Sequence, residues 1–175
     1  MIKPFGPLHN SIRLNYTDVC RVNWAGLAKL RERTKRDVDI YLGPLDRPLS
    51  YDNEFDDMQT SLPSKLPPTV DIFDGQIIPI GHVELTVVHT PGHTPGHVSL
   101  HCKEHGFLLG GNLIFRDGIG RTDLPGGNCT AMRKSIRHIF AALPDETRLF
   151  ADYMLPSTIG IERRYNMSVR DALLG

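Results

Sequence analysis

Short apolar runs, separated by glycine, proline and charged turns, follow one another along this chain and predict a mixed α/β fold. Residues 12–19 alternate apolar and polar side chains, as a half-buried strand does. Residues 24–35 then place apolar side chains at helical spacing behind Asn23, which suits the N-cap of a helix. A second apolar run at residues 38–42 ends at a Gly-Pro pair. Together these segments predict a strand-helix-strand unit.

The rest of the chain predicts a group of strands and then helices. Four short apolar runs predict an antiparallel meander, at residues 77–80, 83–88, 97–102 and 107–109. Residues 132–143 carry apolar side chains at helical spacing up to the next proline, and residues 149–153 predict a last strand. A short helix is predicted to begin at Pro156-Ser157. Residues 46–68, rich in acids, serine and proline, predict a loop or lid.

The composition of the chain limits the classes of protein to which it can belong. A chain of 175 residues can bury one good core, so a single domain over residues 1–175 is expected. Lys plus Arg and Asp plus Glu both number 20, and this zero net charge argues against nucleic acid or a membrane as partner. No apolar run approaches the roughly 20 residues that cross a bilayer. No secretory signal is recognised at the start, which favours a cytoplasmic location.

The three cysteines do not form a recognisable redox or metal motif. Cys20, Cys102 and Cys129 are odd in number and widely separated, which argues against a disulfide framework and a thiolate zinc site. A His101-Cys102-x-x-His105 cluster could serve a remodelled metal site. Neighbouring residues on a strand point to opposite faces, however, so these side chains are not expected to converge.

Four segments, in chain order, resemble the metallo-β-lactamase superfamily and its glyoxalase II-like hydrolases in particular. They are residues 89–100 (HTPGHTPGHVSL), 110–115 (GGNLIF), 118–127 (GIGRTDLPGG) and 157–166 (STIGIERRYN). The resemblance implies an αββα sandwich with its site at one edge of two packed sheets. Family members usually have further strands ahead of residue 12. The first sheet is therefore expected to have fewer strands, or an edge that a partner chain covers.

The same resemblance places the family's zinc ligands on residues that are mostly unsuited to zinc. His93 corresponds to a zinc-ligating histidine, and Asn112 stands where an aspartate bridges two metals. The last histidine corresponds to Ala151, beside Asp152, which is the other metal-ligand candidate. The early T-H-x-H-x-D-H segment, aligned on the strand-to-helix junction, falls on four residues with no credible zinc ligand among them: Val19, Arg21, Asn23 and Trp24.

This pattern predicts a pseudoenzyme with a binding or assembly role and no expected cofactor. A zinc ion needs about three protein ligands, and a lone His93 does not supply them. The alternative is an active zinc-dependent hydrolase of the hydroxyacylglutathione hydrolase type, acting on thioester or ester bonds. A small thiol-derived ligand and self-association through an uncovered sheet edge are the partners that the resemblance leaves open.

Other residues near the expected site have two interpretations each. Cys20 could act as a nucleophile beside His93, or could be an ordinary thiol at a strand end. Arg121 and Asp123 could contact a ligand, or could form a structural ion pair in a tight glycine loop. His93 itself could bind a metal, or could hold a turn through hydrogen bonds.

Overall fold

The computed structural model describes residues 12–15, 38–46, 69–152 and 154–175. The strands of this part are β1 (Ile12–Asn15), β2 (Val38–Leu42), β3 (Thr69–Asp71), β4 (Ile77–Ile80), β5 (Val83–His89), β6 (Val98–Cys102), β7 (Phe107–Gly111), β8 (Ile114–Phe115), β9 (Gly118–Ile119), β10 (Arg148–Ala151) and β11 (Ser157–Thr158). The helices are α1 (Cys129–Ala142), α2 (Ile159–Tyr165) and α3 (Met167–Leu174), with a 3-10 turn at Pro44–Asp46.

The first sheet is three-stranded and parallel, in the order β1-β2-β3. Ile12 pairs with Val38, and the 22 residues between the two strands lie outside the described part of the chain. Parallel neighbours need a connection of a dozen or more residues, usually a helix. The parallel pairing is therefore compatible with the predicted strand-helix-strand unit, although the predicted helix lies outside the described residues.

The second sheet has six strands in the order β11-β10-β7-β6-β5-β4. Strands β4 to β7 form the antiparallel meander that the sequence predicts. Strand β10 then returns beside β7 in parallel, after a crossover that contains the β8–β9 hairpin and α1. As a result, β5, β7 and β10 run in the same direction.

Helix α1 begins earlier than the sequence predicts because a polar residue caps it. The Asn128 side chain accepts a hydrogen bond from the Ala131 amide at 2.9 Å, which starts the helix at Cys129. Its buried residues repeat at intervals of three and four positions, which gives the helix one apolar face. They are Met132, Ser135, Ile136, Ile139 and Phe140.

Two apolar clusters lie on opposite faces of the six-stranded sheet. On one face, Leu108 and Leu149 pack with α1, α2 and α3. On the other, Leu85 and Leu100 pack with Ile72, beside the first sheet. This gives a layer of helices, a six-stranded sheet and a three-stranded sheet, which confirms the expected sheet-on-sheet architecture. No helix in these described segments is long and apolar enough to span a membrane.

Several short elements are absent from the sequence prediction. Strands β3, β8, β9 and β11 have two or three residues each, too few for an apolar period to show. Helix α3 follows α2 after a single residue, Asn166, and was not predicted. The predicted loop or lid covers residues 46–68. Asp46 lies in the 3-10 turn, and residues 47–68 lie outside the described part of the chain.

Candidate functional site

The strand directions bring three loops to one edge of the six-stranded sheet. Because β5, β7 and β10 are parallel to one another, the loops that follow them start at the same edge. Ala151 pairs with Gly111 across a register shift, and the Asp152 amide donates to the Gly111 carbonyl at 3.4 Å. The structure therefore brings together three segments that the sequence singles out: the loop of His93, the turn of Asn112, and Ala151-Asp152.

His93 is buried in this edge, with only 8% of its surface exposed. Its ring atom Nδ1 lies 2.9 Å from the Arg121 carbonyl oxygen. A carbonyl can only accept, so the proton of the neutral ring is on Nδ1. Metal-binding histidines commonly use one ring nitrogen in this way to fix the ring, and the same bond also suits a structural histidine.

His97, four residues later, joins two loops through both of its ring nitrogens. It is fully buried, and Nε2 accepts the Asn112 amide hydrogen at 3.1 Å. Nδ1 therefore carries the proton, which points to the Thr90 carbonyl at 3.0 Å and the Thr90 hydroxyl at 2.9 Å. The Thr90 hydroxyl also bonds to Ser99 at 3.0 Å. His97 thus has a structural role between β5 and the Asn112 turn.

Asn112 follows β7 and is 4% exposed. Its carbonyl oxygen would lie 1.8 Å from a Cβ added at Gly120, so only glycine allows the chain to pass there. The Gly120 amide donates to the Leu113 carbonyl at 3.2 Å. The Asn112 turn is therefore packed against the start of the glycine loop that carries Arg121.

Arg121 and Asp123 form an exposed ion pair at the outer side of that loop. Nε and one terminal nitrogen of Arg121 each lie 3.0 Å from a different Asp123 oxygen, and the side chains are 67% and 69% exposed. The hydrogen bonds from Arg121, followed by the Asp123 backbone amide and the nearby charges, hold the pKa of Asp123 below its ordinary value. The same pairing raises the pKa of Arg121. The geometry favours the structural interpretation of this pair.

A second buried polar cluster attaches the β8–β9 hairpin to the terminal helices. Glu162 is fully buried and accepts hydrogen bonds from the Ser157 hydroxyl, from the Asp117 amide at 3.0 Å and from the Asn166 amide group at 2.8 Å. Asn166 also donates to the Gly118 carbonyl at 2.9 Å. These residues belong to the 157–166 segment of the sequence, whose contribution is therefore to fix the hairpin that precedes the glycine loop.

The other candidates from the sequence do not join the site in the described residues. Cys102 is buried in the core, and its neighbour His101 lies on the opposite, half-buried face of β6, so the predicted divergence is confirmed. Burial, and then the charge of Lys103, lower the pKa of His101. Val19, Cys20, Arg21, Asn23 and Trp24 all lie outside the described residues.

A divalent metal ion needs several charged or imidazole donors close together. Within residues 12–15, 38–46, 69–152 and 154–175, no group of three or more His, Cys, Asp or Glu side chains could hold an ion. His93 is a suitable donor, whereas the amide of Asn112 is uncharged and a poor zinc ligand. The described residues therefore do not fit a metal centre by themselves.

Sequence reasoning missed one buried acid of this region, Asp46. It ends the 3-10 turn after β2, is fully buried, and accepts a hydrogen bond from the Thr94 hydroxyl at 2.5 Å. The Gly96 amide donates to its other oxygen. A sequence signal did exist, because an acid directly after a buried strand and a Gly-Pro turn stands where loops of an α/β fold carry site residues.

Comparison with known proteins identifies the class. The sequence pattern of the Metallo-beta-lactamase superfamily matches residues 24–150. The chain belongs to this superfamily.

Individual relatives agree with this assignment. An uncharacterized protein of Aquifex aeolicus is 37% identical over 142 residues, which cover 79% of this chain and 67% of that protein. Hydroxyacylglutathione hydrolase GloC of Haemophilus influenzae is 34% identical over 107 residues, which cover 57% of this chain and 50% of that enzyme. The probable metallo-hydrolase YqgX of Bacillus subtilis is 34% identical over 80 residues, which cover 46% of this chain and 37% of that protein. The chain thus spans half or less of the length of GloC and of YqgX.

Solved structures show the same fold. TTHA1623 in a di-iron-bound form superposes with a TM-score of 0.76 at 30% identity, covering 87% of this chain and 75% of that one. The BLEG-1 B3 metallo-beta-lactamase superposes with a TM-score of 0.79 at 26% identity, and the match covers 91% of this chain and 78% of that one. The predicted family and fold are confirmed.

Proposed function

We propose that this chain is a metallo-β-lactamase-fold protein that lacks a catalytic dinuclear zinc centre and uses the sandwich for binding or assembly. The observation that carries this proposal is Asn112. It is buried where the three site loops meet, at the position that corresponds by resemblance to a metal-bridging aspartate. An amide there supplies no charge to balance two dications, and it is stable in a buried site without a counter-ion.

The remaining residues at the site edge support the same conclusion. Ala151 has no donor atom, and Asp152 is exposed. His93 is then the main donor, whereas a zinc ion needs about three protein ligands. In the aligned early segment, the permanent positive charge of Arg21 would oppose a dication at short range.

Metal content and hydrolysis test this proposal together. The full chain is equilibrated with Zn²⁺, freed of unbound metal, and analysed for zinc. A hydroxyacyl-glutathione thioester is then offered with zinc supplied, and the Haemophilus influenzae hydroxyacylglutathione hydrolase is prepared in parallel as the control. We expect substoichiometric zinc and no turnover above the uncatalysed rate. Stoichiometric tightly bound zinc, with turnover that a chelator abolishes, would contradict the proposal.

A second candidate is an active zinc-dependent hydrolase, and one contact favours it. The Nδ1 bond of His93 to the Arg121 carbonyl has the form that orients metal-binding histidines. This candidate requires chelator-sensitive thioester turnover that disappears in His93→Ala. A His138→Ala variant is the matched control, because His138 is an exposed residue of α1.

The binding or assembly role includes two narrower predictions. Glutathione, as a small thiol-derived probe, should shift the ring resonances of His93. Self-association through a sheet edge should give a sedimentation coefficient that rises with concentration. Failure of both would contradict the binding role, while the zinc analysis would still decide whether a metal centre exists.

A further inference from the structure

The loop that carries His93 is held at its outer side by a side chain from the other sheet. Asp46 ends the 3-10 turn that follows β2, and its own amide donates to the Gly43 carbonyl at 2.9 Å. Its carboxylate is fully buried and accepts hydrogen bonds from the Thr94 hydroxyl at 2.5 Å and from the Gly96 amide. These two donors lie one and three residues after His93.

The two segments approach each other too closely for side chains at the contact. A Cβ at Gly43 would lie 2.0 Å from the Gly96 carbonyl oxygen. A Cβ at Gly96 would lie 2.7 Å from an Asp46 carboxylate oxygen. Glycine at both positions lets the backbones meet, so the carboxylate reaches a loop that a larger residue would push away.

We propose that Asp46 is the positioning residue of His93: its carboxylate, by binding Thr94 and Gly96, keeps the His93 ring on the Arg121 carbonyl. The Nδ1 bond at 2.9 Å is made across 28 residues of chain, and it survives only if both partner loops stay in place. On the Arg121 side, the Asn112–Gly120 contact fixes the loop. On the His93 side, Asp46 supplies the equivalent constraint. This inference goes beyond the proposed function, because it holds whether or not His93 binds a metal.

Other hydrogen bonds support the loop before His93 and at its two ends. The Ser135 hydroxyl donates to the Pro91 carbonyl at 2.7 Å, the Asn128 amide donates to the Gly92 carbonyl at 2.8 Å, and the Gly92 amide donates to the Thr94 carbonyl at 3.1 Å. His89 Nε2 donates to the Pro95 carbonyl at 2.9 Å from the exposed side. His97, at the other end of the loop, donates from Nδ1 to the Thr90 carbonyl. The side chains of His89, His97 and Ser135 bind other residues of the loop, whereas the Asp46 side chain binds both Thr94 and Gly96, which follow the His93 ring. Charge-assisted hydrogen bonds of this kind are stronger than neutral ones, which suits a positioning role.

Nitrogen-15 spectra of the histidine rings in the full chain test the inference directly. In the parent protein, His93 should appear as the Nδ1–H tautomer with a slowly exchanging proton. In Asp46→Ala, that proton should exchange about tenfold faster or more, because two hydrogen bonds to a charged acceptor are lost. Asp46→Asn keeps one acceptor oxygen and should recover part of the protection. Asp171→Ala, on the exposed face of α3, is the matched control, and the exposed ring of His138 is the internal reference.

A purely structural role would lower stability but leave the His93 ring unchanged in the molecules that remain folded. Parent-like exchange and tautomer of His93 in folded Asp46→Ala would therefore overturn the inference. If Asp46→Ala does not fold, Thr94→Val decides. It removes one donor with little change of volume, and we expect His93 exchange to rise about fivefold. An unchanged His93 in Thr94→Val would also overturn the inference.

Discussion

The inner wall of the candidate site, formed by Thr90, His97 and Asn112, can be compared with its outer rim, formed by Arg121 and Asp123. Both contain polar groups joined by hydrogen bonds of about the same length, although Asn112 takes part through its backbone amide. The inner wall is almost completely buried, whereas the rim side chains are two-thirds exposed. Hydrogen bonds of equal length are therefore expected to contribute differently to stability, because breaking a buried one leaves a polar group with the full cost of desolvation.

The largest expected effect comes from removing the inner bridge. His97→Ala leaves the Asn112 amide and the Thr90 carbonyl without their described partner and opens a cavity between β5 and the Asn112 turn. We expect a loss of about 3 to 5 kcal/mol in the free energy of unfolding, measured by urea denaturation. His138→Ala, on the exposed face of α1, should change it by less than about 0.5 kcal/mol. A loss for His97→Ala as small as that for His138→Ala would show that the buried hydrogen bonds of the inner wall contribute no more than an exposed residue.

An intermediate effect is expected from placing a charge on the inner wall. Asn112→Asp puts a carboxylate in a position that is 4% exposed, and we expect a loss of about 3 kcal/mol at neutral pH. Burial should raise the pKa of the new group above its unfolded value of about 4. The penalty is then full above the folded pKa and disappears as the pH falls below the unfolded one.

Added Zn²⁺ should not restore the stability of Asn112→Asp, because the proposed site lacks the other ligands. If zinc restored the stability, a single substitution would be enough to create a metal site, and the proposed function would be contradicted. Asn128→Asp is the control, because aspartate is as good an N-cap as asparagine for α1.

The smallest effect is expected at the rim. Arg121→Gln removes the donors that lower the pKa of Asp123, so carbon-13 titration of that carboxyl should give a pKa closer to 3.8. Since the folded pKa is depressed, the stabilising effect of the pair is present above the unfolded pKa and is lost as the pH falls through the folded one. Solvent and salt screen an exposed pair, so the urea midpoint at neutral pH should not move measurably. Arg116→Gln should leave the pKa of Asp123 unchanged.

These contrasts also explain what the sequence could predict. The meander, α1 and β10 follow from apolar periods that burial in two packed layers requires. The four matching segments identify the family, and the loops that carry His93 and Asn112 start at the same edge of the six-stranded sheet. The structural role of His97 could not be recognised in advance, because the sequence does not show whether a buried imidazole binds an ion or a backbone amide.

The long-range partners were beyond sequence reasoning for a geometrical reason. Asp46 lies 48 residues from Thr94 and 50 from Gly96. Local patterns carry no information about contacts of this separation, since the sheet packing brings them together. The same holds for Glu162, which lies 45 residues from Asp117. Both acids are fully buried, and their partners could not be identified from the sequence alone.

Asn166 ends α2 with its backbone amide and begins α3 with its side chain. Its amide donates to the Glu162 carbonyl to close α2, and its side-chain oxygen accepts from Val169 to open α3. The same side chain binds the hairpin at Gly118. The elbow between the two helices is consequently locked to the hairpin. Loss of the Asn166 side chain would therefore uncap α3 and detach the hairpin from the helices in a single step.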